Sequence, residues 1–431
     1  MSEPLVTPRF VLIVASGLAY FFALSMLTPV LPLYIKGPLH GNGLSVGVGV
    51  GAFAVGAVLL RPYAGKIGDR AGRRWLVIGG ALVVSVSIAG YGLIDSLRWL
   101  VFARLVTGLG EAAFFVGAAT MITDLAPPER RGEALSYWST AVYGGLAFGP
   151  ALGELVLGHD RYVATWLVAS GLAFVAALVG FTLTETATSL QPGAAAARVI
   201  SATHDGEAHA DATGRTGAAA AGATSATHDG EAHADATVKL IHPAAVRPGI
   251  VLMLGLIGLA GFSAFVSLYA RDELGLSGAG VIFVVYGVCI LLVRVVGARL
   301  PDRLGPIRAG TYALVFGAGG LAVMALARSV AGLVVGTVIF ALGMSLLYPA
   351  LLVMALSGAP DSERASVVGT FSSFFDLSQG LGAVLCGAAQ QLFGYRAAFA
   401  TGAVLAAAGC VALRSGVSRR AGTLSADPVQ A

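Results

Sequence analysis

RPYAGKIGDRAG, residues 61–72, returns as RVVGARLPDRLG, residues 294–305, with the Arg, Asp-Arg and Gly positions kept at an offset of 233. The apolar run before the first copy is introduced by Gly43-Leu44-Ser45. The run before the second is introduced by Gly275-Leu276-Ser277, at an offset of 232. Further on, Glu129-Arg130 corresponds to Glu363-Arg364 at an offset of 234. Matches in one order at a nearly constant offset mark two parallel copies of a single unit, and such repeats can enclose a central site between them.

The composition says what the unit is made of. Of 431 residues 56% are hydrophobic and 12% charged, against roughly 25% charged in soluble domains, so most of the chain is expected in lipid. Apolar runs long enough to span a bilayer lie near 10–35, 45–63, 75–95, 99–123, 134–158 and 162–184. They resume near 248–270, 279–300, 309–327, 331–357, 367–393 and 397–415. The expectation is an all-α membrane protein of twelve transmembrane helices in two six-helix bundles. Its N-terminal bundle covers 1–185, a disordered linker 186–246, the C-terminal bundle 247–416 and a tail 417–431.

With both termini and the linker on the cytoplasmic side, that side carries 19 of the 27 Lys and Arg residues. The opposite loops hold Lys36, Arg98, Arg161, Arg271, Arg328 and Arg396, while Arg104 and Arg294 fall inside helices. This bias is the positive-inside rule, and it accounts for the net charge of +4 without nucleic acid as a partner. The first apolar run is long enough to span and lacks a basic n-region and cleavage site, so it is expected to stay as helix 1. Cys289, Cys386 and Cys410 are isolated in apolar segments and suggest neither a disulfide nor a metal site. The linker repeats SATHDGEAHADAT at 201–213 and 225–237, a low-complexity tether whose histidines point only weakly to metal. No Walker sequence and no nucleophile–base constellation occurs, which argues against an ATP-driven pump and against an enzyme; no cofactor or metal is expected.

Gly65, Asp69, Arg70, Gly72, Arg73 and Arg74 fit the G-x-x-x-D-R-x-G-R-R signature between helices 2 and 3 of the major facilitator superfamily, which the chain resembles outside its linker and tails. The resemblance implies two bundles around a cavity exposed alternately to each side, at the cell membrane. A carboxylate at a membrane surface is stabilised by helix N-terminal amides and guanidinium groups. Asp69, with its degenerate copy at Asp302 and Arg303, is therefore expected to clamp the halves as a gate.

Helix 4 carries Arg104, Gly108 and Glu111 on one face, with Glu111 roughly 19 Å from the outer end by helical rise. Charges at this depth face a cavity or a partner. Either Arg104 forms a structural pair with an acid, or Glu111 exchanges a proton while Arg104 tunes it; the latter resembles the superfamily's R-x-x-x-G motif. Asp376 on helix 11 is a second proton carrier or the partner of Arg294 or Arg104. GGLAFGPALGE, residues 144–154, sets Gly145, Gly149 and Gly153 in a smooth stripe with Pro150 to bend the helix. It resembles G-x-x-x-G-P-x-x-G-G of the drug and proton antiporters, with Glu154 in place of the last glycine, and is expected at the interface between bundles. Glu154 is a proton entry point or a solvated end residue near the outer mouth.

Tyr20, Phe262, Phe265 and Tyr348, with Phe21, Phe22 and Tyr286, are candidates for a cavity lining. The expected function is proton-coupled efflux of small amphipathic or weakly charged organic compounds by a monomer, whose partners are substrate, protons and lipid. The alternatives are uptake of sugars or organic acids, with Arg104 on a substrate carboxylate, and a non-transporting membrane sensor.

Overall fold

The alternation of apolar runs and short polar turns becomes a series of antiparallel helices in the computed structural model, which describes residues 5–127, 130–186, 242–296, 304–360 and 363–424. In the first half these are α1 (Pro8–Lys36), α2 (Gly43–Ala71), α3 (Arg73–Gly90), α4 (Leu97–Leu125), α5 (Arg131–Leu157) and α6 (Tyr162–Thr182). In the second they are α7 (Pro243–Asp272), α8 (Gly280–Val296), α9 (Pro306–Leu326), α10 (Val330–Leu356), α11 (Arg364–Phe393) and α12 (Tyr395–Leu424). Among the described residues ten helices are long and apolar enough to cross a membrane. The repeated 201–213 and 225–237 segments, Asp302 and Arg303 lie outside the described residues.

Local chemistry fixes the helix starts. Thr7 Oγ1 accepts from the Phe10 amide at 3.2 Å with Pro8 at the first helical position. Asn42 Oδ1 accepts from Ser45 at 2.9 Å, and Ser329 Oγ accepts from Gly332 at 3.2 Å. Each satisfies an amide that has no intrahelical acceptor. Trp75 and Trp99, at the starts of α3 and α4 on opposite sides, stand 56% and 64% exposed, as an aromatic belt requires. Three ends differ most from the hydropathy reading: α2 continues to Ala71 rather than 63, α7 starts at Pro243 rather than 248 and so takes in the end of the expected linker, and α12 runs to Leu424.

The halves share one packing plan. In the first, α1 packs on α5 and α6, and α4 on α2 and α3; in the second, α7 packs on α11 and α12, and α10 on α8 and α9. Between the halves α2 meets α11 and α5 meets α8, a pair of contacts that exchange under the repeat. Because the crossings alternate, α12 ends on the side where α1 begins; this is the termini side, and the other is the far side.

Glycines decide how closely α2 and α11 approach. A Cβ on Gly43, Gly47 or Gly51 would strike Gly387, Ala383 or Gly380 backbone. Gly65 and Gly369 lie 18 residues from Gly47 and Gly387, five full turns, hence on the same faces. Yet among the described residues a Cβ at either would meet nothing within 4 Å. The two helices touch on the far side and splay toward the termini side.

The stripe on α5 does not face the other half. Gly145, Gly149 and Gly153 pack on α1, where added β-carbons would run into Phe21 and Phe22, Ser25 and Met26 in turn. Ser25 Oγ donates to the Gly145 carbonyl at 2.7 Å. The contact with α8 instead uses Ala147 against Gly287. Pro150 leaves the Leu146 carbonyl without its helical donor and lies on the wall of the central cavity.

Replacing Gly149 with Val should overpack this contact and cost about 1–3 kcal/mol. Gly171→Val, where a β-carbon meets nothing, serves as the control. Thermal unfolding in detergent reads both, and equal melting temperatures would remove the α1–α5 contact as the reason for the stripe.

Candidate functional site

Between the halves lies a cavity of ≈ 500 Å³, lined by α1, α2, α4, α5, α7, α8, α10 and α11. Its walls are largely apolar, and four charged residues reach it: Arg61, Arg104, Glu111 and Asp376.

Arg61, a cytoplasmic loop charge by the sequence, lies ten residues inside the end of α2, roughly 15 Å by helical rise. Its Nη2 donates to Glu111 Oε2 at 3.0 Å and Oε1 at 3.3 Å. Its Nη1 lies 3.0 Å from Asp376 Oδ2. One guanidinium from α2 therefore joins a carboxylate of its own half, on α4, to a carboxylate of the other half, on α11. Glu111 and Asp376 are each only 6% exposed, so neither is stable as an anion without such a partner. Asp376 Oδ2 is an ion-pair contact without hydrogen-bond alignment, a buried oxygen that accepts no hydrogen bond among the described residues. Gln379 Nε2, three residues on and on the same face of α11, also lacks a partner among them.

Arg104 does not pair with Glu111. Two turns away, it lies over the Phe53 ring at 4.7 Å and its Nε donates to the Gly49 carbonyl at 3.4 Å. Glycine at 49 leaves that carbonyl unshielded, and the ring face supplies a cation–π contact. Asp376 likewise contacts Arg61, not Arg104, and the Arg294 side chain lies outside the described residues. The signal for Arg61 was in the repeat: its equivalent, Arg294, already read as lying within a helix.

Of the aromatic candidates, Phe262 and Tyr348 line the cavity together with Phe21 and Tyr286. Phe262 packs on Phe283, Tyr286 and Phe340, and Tyr348 on Phe371 and Phe375. Tyr20 and Phe265, expected in the lining, lie outside it. Both are fully buried away from the lining, Tyr20 stacked on Phe114 at 3.7 Å and Phe265 tilted against Tyr395. On α1 the cavity face runs through Phe21, Leu24, Ser25 and Thr28, and Tyr20 is turned about 100° from Phe21.

Among the described residues the 65–74 segment makes the following contacts inside its own half. Gly72 turns the chain between α2 and α3 at φ +106°, and a β-carbon there would meet Glu185 Oε2. The same carboxylate accepts from the Arg73 amide at 3.0 Å and the Arg74 amide at 3.2 Å, capping α3. Arg73 bonds Asp124 and, at 3.2 Å, Asp69. Arg74 donates to the Phe181 carbonyl at 2.6 Å. Asp69 is 66% exposed at its side chain.

On the far side the halves are tied by charges and caps. Lys36 meets Asp272 at 2.5 Å and also Tyr395, Arg271 meets Asp160 at 3.5 Å, and Glu154 reaches across to α7 and α8.

The Major Facilitator Superfamily model matches residues 13–383. An uncharacterized MFS-type transporter of Salmonella typhimurium is 27% identical over 396 residues, covering 90% of this chain and 89% of its own. Multidrug resistance protein 2 of Bacillus subtilis is 23% identical over 381 residues, covering 88% of each chain. Among solved structures, the nucleoside transporter NupG superposes with a TM-score of 0.70 at 12% identity, over 94–95% of this chain and 99% of its own. A bacterial homolog to the human lysosomal transporter Spinster superposes with the same score at 16% identity, over 96% of each chain. At these identities the likeness to solved structures is one of fold.

Removing Arg61 alone strands two buried carboxylates, so Arg61→Ala should cost about 3–5 kcal/mol. The triple variant Arg61→Ala, Glu111→Gln, Asp376→Asn should recover most of that loss, because the three groups act as one unit. Unfolding in detergent distinguishes the cases: a triple variant no more stable than Arg61→Ala would mean the three charges do not depend on one another.

Proposed function

The chain belongs to the Major Facilitator Superfamily, as a multi-pass cell-membrane transporter and not an enzyme, and we propose that it exports small amphipathic organic compounds in exchange for protons. The observation that carries this reading is the Arg61–Glu111–Asp376 group. Two carboxylates on one guanidinium leave one negative charge in excess, and a single proton cancels it. The group is thus suited to bind one proton per cycle, at a depth where a second uncompensated charge is costly.

The same group couples that proton to movement. Arg61–Asp376 is a bond between halves, so a proton on Asp376 removes a tie between α2 and α11 in mid-membrane. With the termini side cytoplasmic, as the charge bias supports, the far-side contacts make this the inward-open form. Ionised acids on Arg61 then correspond to the state after proton release, with the cavity free to receive substrate. Loading, far-side opening and proton uptake from outside complete the exchange. Export is supported by the 144–153 motif and by the drug-resistance relatives among the matches. The apolar, aromatic lining around few polar groups favours amphipathic cargo.

One observation favours the uptake alternative. Arg104 faces the cavity and, among the described residues, pairs with no acid, so a substrate carboxylate could dock there. The sign of the coupling separates the two: a proton on the acid group raises the affinity of an anion but opposes a cation. Anionic cargo would travel with the proton, and cargo that competes for the acids against it.

Purified protein in proteoliposomes, screened against varied compounds with and without a pH gradient, tests both. Glu111→Gln and Asp376→Asn should each abolish gradient-driven accumulation while exchange of substrate for substrate persists. Gradient-driven accumulation at the unmodified level in Asp376→Asn would exclude that residue as the coupling acid, and inward proton-driven accumulation would favour uptake.

A further inference from the structure

We propose that Glu154 is the positioning residue that holds the far mouth shut, by capping a helix of the opposite half. It lies in the last turn of α5, in the first half. Oε1 accepts from Ser267 Oγ on α7 at 2.9 Å, and Oε2 accepts from the Gly280 amide at 2.7 Å. Gly280 is the first residue of α8, so its N–H has no acceptor within its own helix. A carboxylate there satisfies the amide and opposes the positive end of the helix dipole. The approach to α8 is shaped around it: a β-carbon on Gly278 would collide with Glu154 Oε2.

The contact exists only while the far side is closed. When α5 and α8 part, carboxylate, hydroxyl and amide all return to water, so the bonds distinguish the two forms and shift the balance between them. The neighbouring far-side pairs are weaker candidates for this task. Lys36–Asp272 and Arg271–Asp160 include side chains 39–67% exposed, where water and salt screen them. Glu154 needs no counter-cation, since its named partners are neutral donors held by two helices. A glycine at this position, as the antiporter pattern has it, offers neither bond. The substitution of glycine by glutamate therefore makes the termini-side-open form the resting form. It keeps the carrier loaded from one side and limits leakage through the other.

The test reads conformation directly. Spin labels at Asp95→Cys and Ser329→Cys, both exposed on the far side in opposite halves, report the opening of the mouth. They are introduced with Cys289, Cys386 and Cys410 replaced by Ala, in nanodiscs, without substrate or gradient. Glu154→Ala should raise the ratio of long to short distances roughly tenfold or more, the weight of charge-assisted hydrogen bonds. Glu154→Gln, which keeps one acceptor oxygen but not the charge, should fall between. Ser267→Ala alone should give a smaller shift, and none when added to Glu154→Ala. An unchanged distance distribution in Glu154→Ala, or an undiminished effect of Ser267→Ala in that background, overturns the proposal. No substrate or proton gradient enters the measurement, so its outcome is independent of whether proton-coupled export is correct.

Discussion

Arg61 stands where a helix of one half must hold two acids, one from each half, in the middle of a membrane. That constraint organises the rest. A guanidinium and two carboxylates at 3.0 Å tolerate lipid depth only if the helices bearing them are held close. The closeness comes from glycine: Gly43, Gly47 and Gly51 of α2 lie against Gly387, Ala383 and Gly380 of α11 on the far side of the ion group. Beyond it, at Gly65 and Gly369, the helices separate. The charged group therefore sits where the packed backbone of the far side gives way to separated helices, with the cavity reaching past it toward Arg104 and Val50. This is the geometry in which loss of one charge contact changes how two rigid bundles meet.

Much of this was legible in the sequence, because helix number, repeat and charge bias are one-dimensional properties. The stretch 61–72 and its copy predicted two equivalent halves, and the structure shows them in the exchanged contacts α2 with α11 and α5 with α8. Depth was also legible for Glu111 and Asp376. Rotation and partnership were not. Hydropathy ended α2 near residue 63 because Lys66, Asp69 and Arg70 follow, although a helix can continue beyond the lipid to the surface, as α2 does to Ala71. Helical periodicity showed Gly145, Gly149 and Gly153 to be one smooth face, but a smooth face fits any neighbour, and it belongs to α1. Tyr20 failed for the same reason: it has the right depth and is turned one residue away from the cavity.

The repeat also shows where the halves differ, and the differences bear the function. The Ala54–Gly380 contact of α2 with α11 recurs as Gly287–Ala147 of α8 with α5, both residues shifted by 233; the same offset makes Glu154 and Gly387 equivalent positions on α5 and α11. Gly387 closes its interface by backbone contact with Gly43 and Gly47. At the matching place on α5 a carboxylate closes the interface by hydrogen bonds to α7 and α8. Asp376 in turn corresponds to Tyr143, so α11 brings an acid to mid-membrane where α5 brings a phenol. Beyond the first turn each of these two helices thus carries one acid, at different heights: α11 at the cavity and α5 at the far mouth. Parting the glycine contact itself, on the far side of Arg61, hands no carboxylate to water. Parting the other hands a carboxylate from two protein donors to water, so opening is energetically different at the two interfaces although the backbone plan is the same. The parallel repeat relates one half to the other and not one membrane face to the other, so the even scaffold leaves the two faces distinct, and the acids placed unevenly on it set which face the bundles close.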